Sequence, residues 1–157
     1  MNQTDLEVLS RFEEVWRRVQ RSSAVSAEER DTGIKELMDS LCYQWNGCRQ
    51  LAMCACGREK TCLLSLSEQI KKQYRLLQLH YFLKEGDAYF SDASPDFASY
   101  TPYNLRKLWQ STVENEEWLK KCNLKGEGLF VAEPEQMKAE AEYRKKVLEG
   151  LIGRLLQ

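Results

Sequence analysis

The chain has 157 residues, of which 43% are hydrophobic and 30% charged, and its 23 Lys and Arg nearly cancel its 24 Asp and Glu. That length and balance fit one globular domain with a real core, and they exclude the basic excess of a dedicated nucleic-acid surface. No stretch approaches the roughly 18 apolar residues of a membrane span, and three prolines leave room for long helices.

Residues 1–10 contain Asp5 and Glu7 and no apolar centre, so they do not read as a secretion signal. The expected compartment is the cytoplasm, where the six cysteines stay reduced rather than forming a disulfide framework.

Five helices are predicted. The first covers about residues 5–20 and opens on the capping box Thr4-x-x-Glu7. Leu6, Leu9, Phe12, Val15, Trp16 and Val19 follow at spacings of three and four, which makes one apolar stripe. The second begins at Ser26-x-x-Glu29, carries Ile34, Leu37, Met38, Leu41, Trp45, Cys48, Ala52 and Ala55 on one face, and is expected to stop at Gly57. The third is expected to start near Thr61 or Ser65. It runs through Leu63, Leu66, Ile70, Tyr74, Leu77 and Tyr81 to Gly86. The fourth opens on Thr101-Pro102, a cap followed by proline at the first helical position, and carries Leu105, Leu108, Trp109, Thr112, Val113, Glu116 and Leu119. The fifth starts at Pro134 and continues through Met137, Ala141, Arg144, Val147, Leu148, Leu151, Ile152 and Leu155.

Connection lengths suggest the topology. The Gly57–Lys60 link is short and implies an antiparallel hairpin, and residues 123–133, with Gly126 and Gly128, suit a second one. The link at 87–100 holds Tyr89, Phe90, Phe97 and Tyr100, which is not the composition of a solvated linker. Some 15 extended residues reach about 50 Å, enough to run the length of a helix of about 35 Å, with the aromatics expected to pack on the outside of the bundle. Two hairpins joined by one long crossover is the ferritin-like arrangement. The expected fold is therefore a single all-α domain over 1–157: an N-terminal helix at 5–20 added to a four-helix bundle at 27–157.

Particular runs carry a family resemblance. Glu14-Val15-Trp16-Arg17-Arg18-Val19 is similar to the opening helix of small ferritin-like proteins, and Leu77-Gln78-Leu79-His80-Tyr81-Phe82-Leu83-Lys84-Glu85-Gly86-Asp87 to the end of their second bundle helix. Ala141-Glu142-Tyr143-Arg144-Lys145 lies where their last Glu-x-x-His falls. Over residues 8–157 the chain resembles the bacterial ferritin-like, rubrerythrin-related family. The resemblance implies a di-iron bundle, in which each half supplies a Glu-x-x-His pair.

The ligand positions depart from that pattern. The first pair would fall on Ile70 and Gln73, and Lys145 stands where the second histidine is expected after Glu142. Leu41-Cys42-Tyr43-Gln44-Trp45 offers no acid, and only Glu114, Glu116 or Glu117 could serve on the fourth helix. The one histidine, His80, lies about two turns beyond Gln73 and has Leu77, not a carboxylate, three residues before it. It reads as a core-edge residue rather than a ligand. The di-iron site is thus expected to be lost, and with it ferroxidase or peroxidase activity. Glu116 is the acid whose spacing points it inward; beside Glu142 it would need a cation, which Arg144 or Lys145 could supply.

The cysteines are the other candidate chemistry. Cys54-x-Cys56-x5-Cys62 straddles the first hairpin, but Cys-x-Cys is not the usual zinc spacing. Residues two apart on a helix point about 200° away from each other, so Cys54 and Cys56 converge only if the helix ends by Ala55. Small, soft cysteines filling core gaps is the competing explanation. No phosphate loop, nucleophile triad or nucleotide fingerprint is present.

These observations point to a cytoplasmic, non-catalytic bundle that acts through structure or interaction, as a homodimer or with a protein partner and without nucleic acid, membrane or cofactor. The N-terminal stripe would pack on its own bundle or across a dimer. The alternative is a protein that holds iron, manganese or zinc, or does redox chemistry, through Cys54, Cys56 and Cys62 or through Glu116 and Glu142.

Overall fold

The computed structural model describes residues 27–121 and 134–157 and, before them, Val8 and Arg11. The rest of the helix expected at 5–20, the capping box at Ser26 and the 123–133 connection lie outside the described residues. The described residues include four long helices: α1 (Ala27–Cys54), α2 (Gly57–Glu85), α3 (Pro102–Lys121) and α4 (Pro134–Leu155). Among the described residues there is no strand, and no helix is long and apolar enough to cross a membrane.

Most helix ends follow local chemistry. Gly86 closes α2 in the left-handed region, φ 76°, with its N–H donating to the Phe82 carbonyl. Thr101 Oγ1 accepts from the Asn104 amide at 3.2 Å, just before Pro102 opens α3. The first hairpin is tighter than expected. α1 ends at Cys54, three residues short of Gly57, and α2 starts at Gly57 rather than at Thr61 or Ser65. Gly57 takes φ 64°, which lets the chain reverse within two non-helical residues. Thr61 is not a cap; its hydroxyl donates back to the Gly57 carbonyl at 3.2 Å, a bond made inside a helix.

The pairing of residues sets the directions. Lys35 lies over the Tyr81 ring and Trp45 beside Tyr74, so α1 and α2 are antiparallel. Trp109 donates to Glu149 at 3.0 Å and Glu116 pairs with Lys145 at 3.1 Å, so α3 and α4 are antiparallel too. Gln44 meets Ser111 and Gly33 faces Trp118, which runs α3 against α1. α2 and α3 therefore point the same way, and residues 86–101 must travel the length of the bundle.

That crossover is fastened along α1. Tyr89 OH donates to Asp39 at 2.7 Å, and Asn46 donates to the Ala93 carbonyl at 2.9 Å. Gln50 holds both ends of its amide to the strap: it donates to the Pro95 carbonyl at 2.8 Å and accepts from the Phe97 amide at 2.9 Å. Cys54 Sγ, 3.5 Å from the Ala98 carbonyl, is the last tie. The backbone groups of a non-repetitive segment thus find partners on side chains of a helix. The aromatics of the link do not all lie on the outside: Phe97 is buried and meets Tyr43 edge-on at 6.2 Å, while Phe90 is 75% exposed.

Gly47 makes the fit possible. A Cβ there would stand 2.5 Å from Leu108 Cδ2, 3.0 Å from Phe97 Cε2 and 3.1 Å from Pro95 Cγ. The core around this contact includes Leu41, Leu51, Leu63, Ile70, Leu77, Leu105 and Leu148.

Candidate functional site

Buried polar groups cross the middle of this apolar core. On the α1–α3 side, the fully buried Gln44 amide donates to Ser111 Oγ at 3.0 Å, and Ser111 and Ser40 hydroxyls lie 3.0 Å apart. Thr112 Oγ1, also buried, sits 3.4 Å from Gln44 Oε1 and 2.8 Å from the Leu108 carbonyl. On the α2–α4 side, Gln73 Nε2 donates to Glu140 Oε2, and Gln73 Oε1 accepts from Arg144 Nη1 at 3.3 Å. Arg144 Nη1 also reaches Gln69 Oε1 at 3.5 Å.

Arg144 is the unusual member. Its side chain is fully buried, yet its Nε has no hydrogen-bond partner, and no carboxylate among the described residues stands within ion-pair distance. Burial pulls its pKa down to about 10, against a smaller upward pull from Cys48 and Glu140. It is still charged at neutral pH. The amide of Gln73 links it to Glu140, so the nearest compensating charge acts through a neutral group.

The register on α4 differs from the one read from the resemblance. Met137, Ala141, Arg144, Leu148 and Leu151 are the buried residues, so the interior pair three apart is Ala141 and Arg144. Glu142 is exposed and pairs with Lys146 at 3.5 Å. Lys145 turns toward α3 instead. The reason is the helical repeat: 137, 141, 144, 148 and 151 keep the three-and-four spacing of one face, and 142 and 145 fall beside it. On α2 the corresponding pair, Ile70 and Gln73, is buried.

Glu116 is largely covered and is held by Lys120 at 3.0 Å and Lys145 at 3.1 Å. The Lys120 hydrogen bond is the main influence that holds its carboxyl below the usual range, partial burial opposes it, and Lys145 reinforces it. Glu116 in turn raises the Lys145 pKa. Glu116 is thus paired with Lys120 and Lys145, and Glu142 with Lys146.

The cysteines divide by depth. Cys42 and Cys48 are buried, Cys54 and Cys56 are exposed at the hairpin tip, and Cys62 is half-buried. Burial pushes the Cys48 thiol up to about 12, and it also raises Cys42 and Cys62. Among the described residues, no group of three or more His, Cys, Asp or Glu is placed to hold a metal ion. His80 is buried on α2.

Sequence reasoning passed over Gln44, Asn46 and Gln50. A signal was there: Cys42, Asn46, Gln50 and Cys54 recur every four residues, a polar stripe on α1 that the crossover covers. No family model, curated protein or solved structure matches the chain.

Proposed function

We propose that this chain is a non-catalytic bundle of the ferritin-like arrangement, without a competent di-iron centre, that acts through structure or through interaction with a second copy or a protein partner. One observation carries the reading. Among the described residues, the buried polar side chains of the four helices are mostly amides and hydroxyls, such as Gln44, Gln73, Thr112 and Asn115, beside one fixed cation, Arg144; His80 and Glu116 are the only buried imidazole and carboxylate, too few for a pair of Glu-x-x-His motifs. Iron in such a bundle is held by carboxylates and imidazoles, and amides and hydroxyls do not replace them. A guanidinium, charged across the physiological range, repels a divalent ion from the same space. Glu116, the acid nearest the interior, already has two ammonium partners.

The other elements of the reading rest on the sequence. The apolar stripe of residues 5–20 joins the bundle as an added helix, on its own chain or across a dimer, in a cytoplasmic protein. The test is elemental analysis of protein purified without a tag, before and after incubation with ferrous iron and with zinc. Metal well below one atom per chain in both samples is the expected result. Iron, manganese or zinc near one per chain would overturn the proposal, and its loss in Cys54→Ser would transfer the site to the hairpin.

A further inference from the structure

We propose that Cys54 and Cys56 form a redox-responsive dithiol at the tip of the α1–α2 hairpin, converted to an intrachain disulfide by a low-molecular-weight disulfide of the glutathione kind. The inference concerns the surface of the bundle and stands independently of the reading of its interior.

Accessibility comes first. Cys54 and Cys56 are the two exposed thiols among the described residues, whereas Cys42 and Cys48 are sealed in the core and Cys62 is half-covered. The tip is open as well: a Cβ built on Gly57 would meet no atom within 4 Å. Both cysteines are therefore open to a small disulfide arriving from solvent.

Backbone geometry comes second. Two residues along a chain span at most about 7 Å, and a disulfide needs Cα atoms about 4.4–6.8 Å apart, so the spacing is compatible. The obstacle would be direction, because a continuous helix sets such side chains about 200° apart. Here α1 ends at Cys54, and Cys56 has extended backbone, φ −140° and ψ 165°. The Ala55 amide still donates to the Leu51 carbonyl at 2.9 Å, so helical bonding stops one residue before the second cysteine.

The chemistry balances with the one co-reactant. One cysteine thiolate attacks the small disulfide, forming a mixed disulfide and releasing one small thiol, which takes up the proton. The second cysteine attacks the mixed disulfide, forms the Cys54–Cys56 bond and releases the second small thiol. Two cysteine thiols are oxidised by two electrons, and one small disulfide is reduced to two thiols. A bond that closes so short a loop at an exposed tip is labile, as befits a reversible rather than a structural disulfide. It also removes the S–H that Cys54 directs at the Ala98 carbonyl, the last tie of the crossover.

The experiment treats the full chain with oxidised glutathione, quenches it with acid and maps the peptide Gln50–Arg58, which holds both cysteines, by mass spectrometry. The expected wild-type product is that peptide lighter by two hydrogens, restored by dithiothreitol. Cys54→Ser and Cys56→Ser, both at exposed positions, should each stop at a single glutathione adduct. Wild-type protein that accumulates glutathione adducts without the intrachain bond, that forms covalent dimers, or that does not react would each overturn the proposal.

Discussion

Replacing Gly47 by alanine sets a local rule against a tertiary one. Alanine in a helix interior is favoured over glycine by about 0.5–1 kcal/mol, so the sequence alone predicts a more stable protein. The structure predicts the opposite sign. The new methyl would lie 2.5 Å from Leu108 Cδ2 and close to Phe97 and Pro95. Leu108 is fully buried, and the strap carrying the other two is fastened by Gln50 at the Pro95 carbonyl and the Phe97 amide. None of the three can move away without opening the contact between α1, α3 and the crossover. Overpacking of this kind costs about 1–3 kcal/mol, which cancels the helix gain and leaves Gly47→Ala destabilised by up to about 2.5 kcal/mol. Gly150 is the control, because it sits inside α4 with nothing within 4 Å of a built Cβ. Gly150→Ala should gain the full ~0.5–1 kcal/mol. Urea unfolding followed by circular dichroism measures both, with the midpoint shifted and the slope unchanged. If Gly47→Ala proves as stabilising as Gly150→Ala, the close approach described here is wrong.

Two buried titratable groups give further expectations. A pKa of about 10 for Arg144 against its usual 12.5 corresponds to a cost of roughly 3 kcal/mol for the folded, charged state. Because the folded value is the lower one, that cost is fully present below pH 10 and is relieved only as the pH rises from there toward the unfolded value. Arg144→Met removes it while filling the space, and should be neutral or stabilising by up to about 3 kcal/mol in urea unfolding at pH 7; a loss above about 2 kcal/mol would mean that the network with Gln69 and Gln73 is worth more than its desolvation. Cys48 works in the other direction. Its thiol ionises near 9 when unfolded and near 12 when folded, so the folded state keeps a proton that the unfolded state has lost, and stability falls as the pH climbs through that window. Between pH 8 and pH 11 the decline should be about 2–3 kcal/mol smaller in Cys48→Ala than in wild type, and parallel pH profiles of the two proteins would refute the assignment.

Local information was enough for the helices and most of their ends. Gly86, Thr101-Pro102 and Pro134 act within a single turn, and apolar spacings of three and four mark the buried faces whatever lies opposite. The same spacing turned Glu116 inward. It also contained the correct α4 register, since Met137, Ala141, Arg144, Leu148 and Leu151 form one face, but an ungapped match to a family motif drew attention to Glu142 and Lys145, one residue to the side. The candidate site was less legible for the same reason. Which charges meet depends on how helices far apart in the chain are set against each other, and no local periodicity states that Lys145 faces Glu116 or that Gln73 stands between Arg144 and Glu140.

The chain by itself determined four amphipathic helices with their polar and apolar faces, because hydrogen-bonded turns and side-chain spacing are local. Tertiary structure alone decided that Gly47 must lack a side chain, that Phe97 turns into the core while Phe90 stays out, and that the Gln73 amide stands between Arg144 and Glu140. Each of these depends on the space left between helices, which exists only once they have packed.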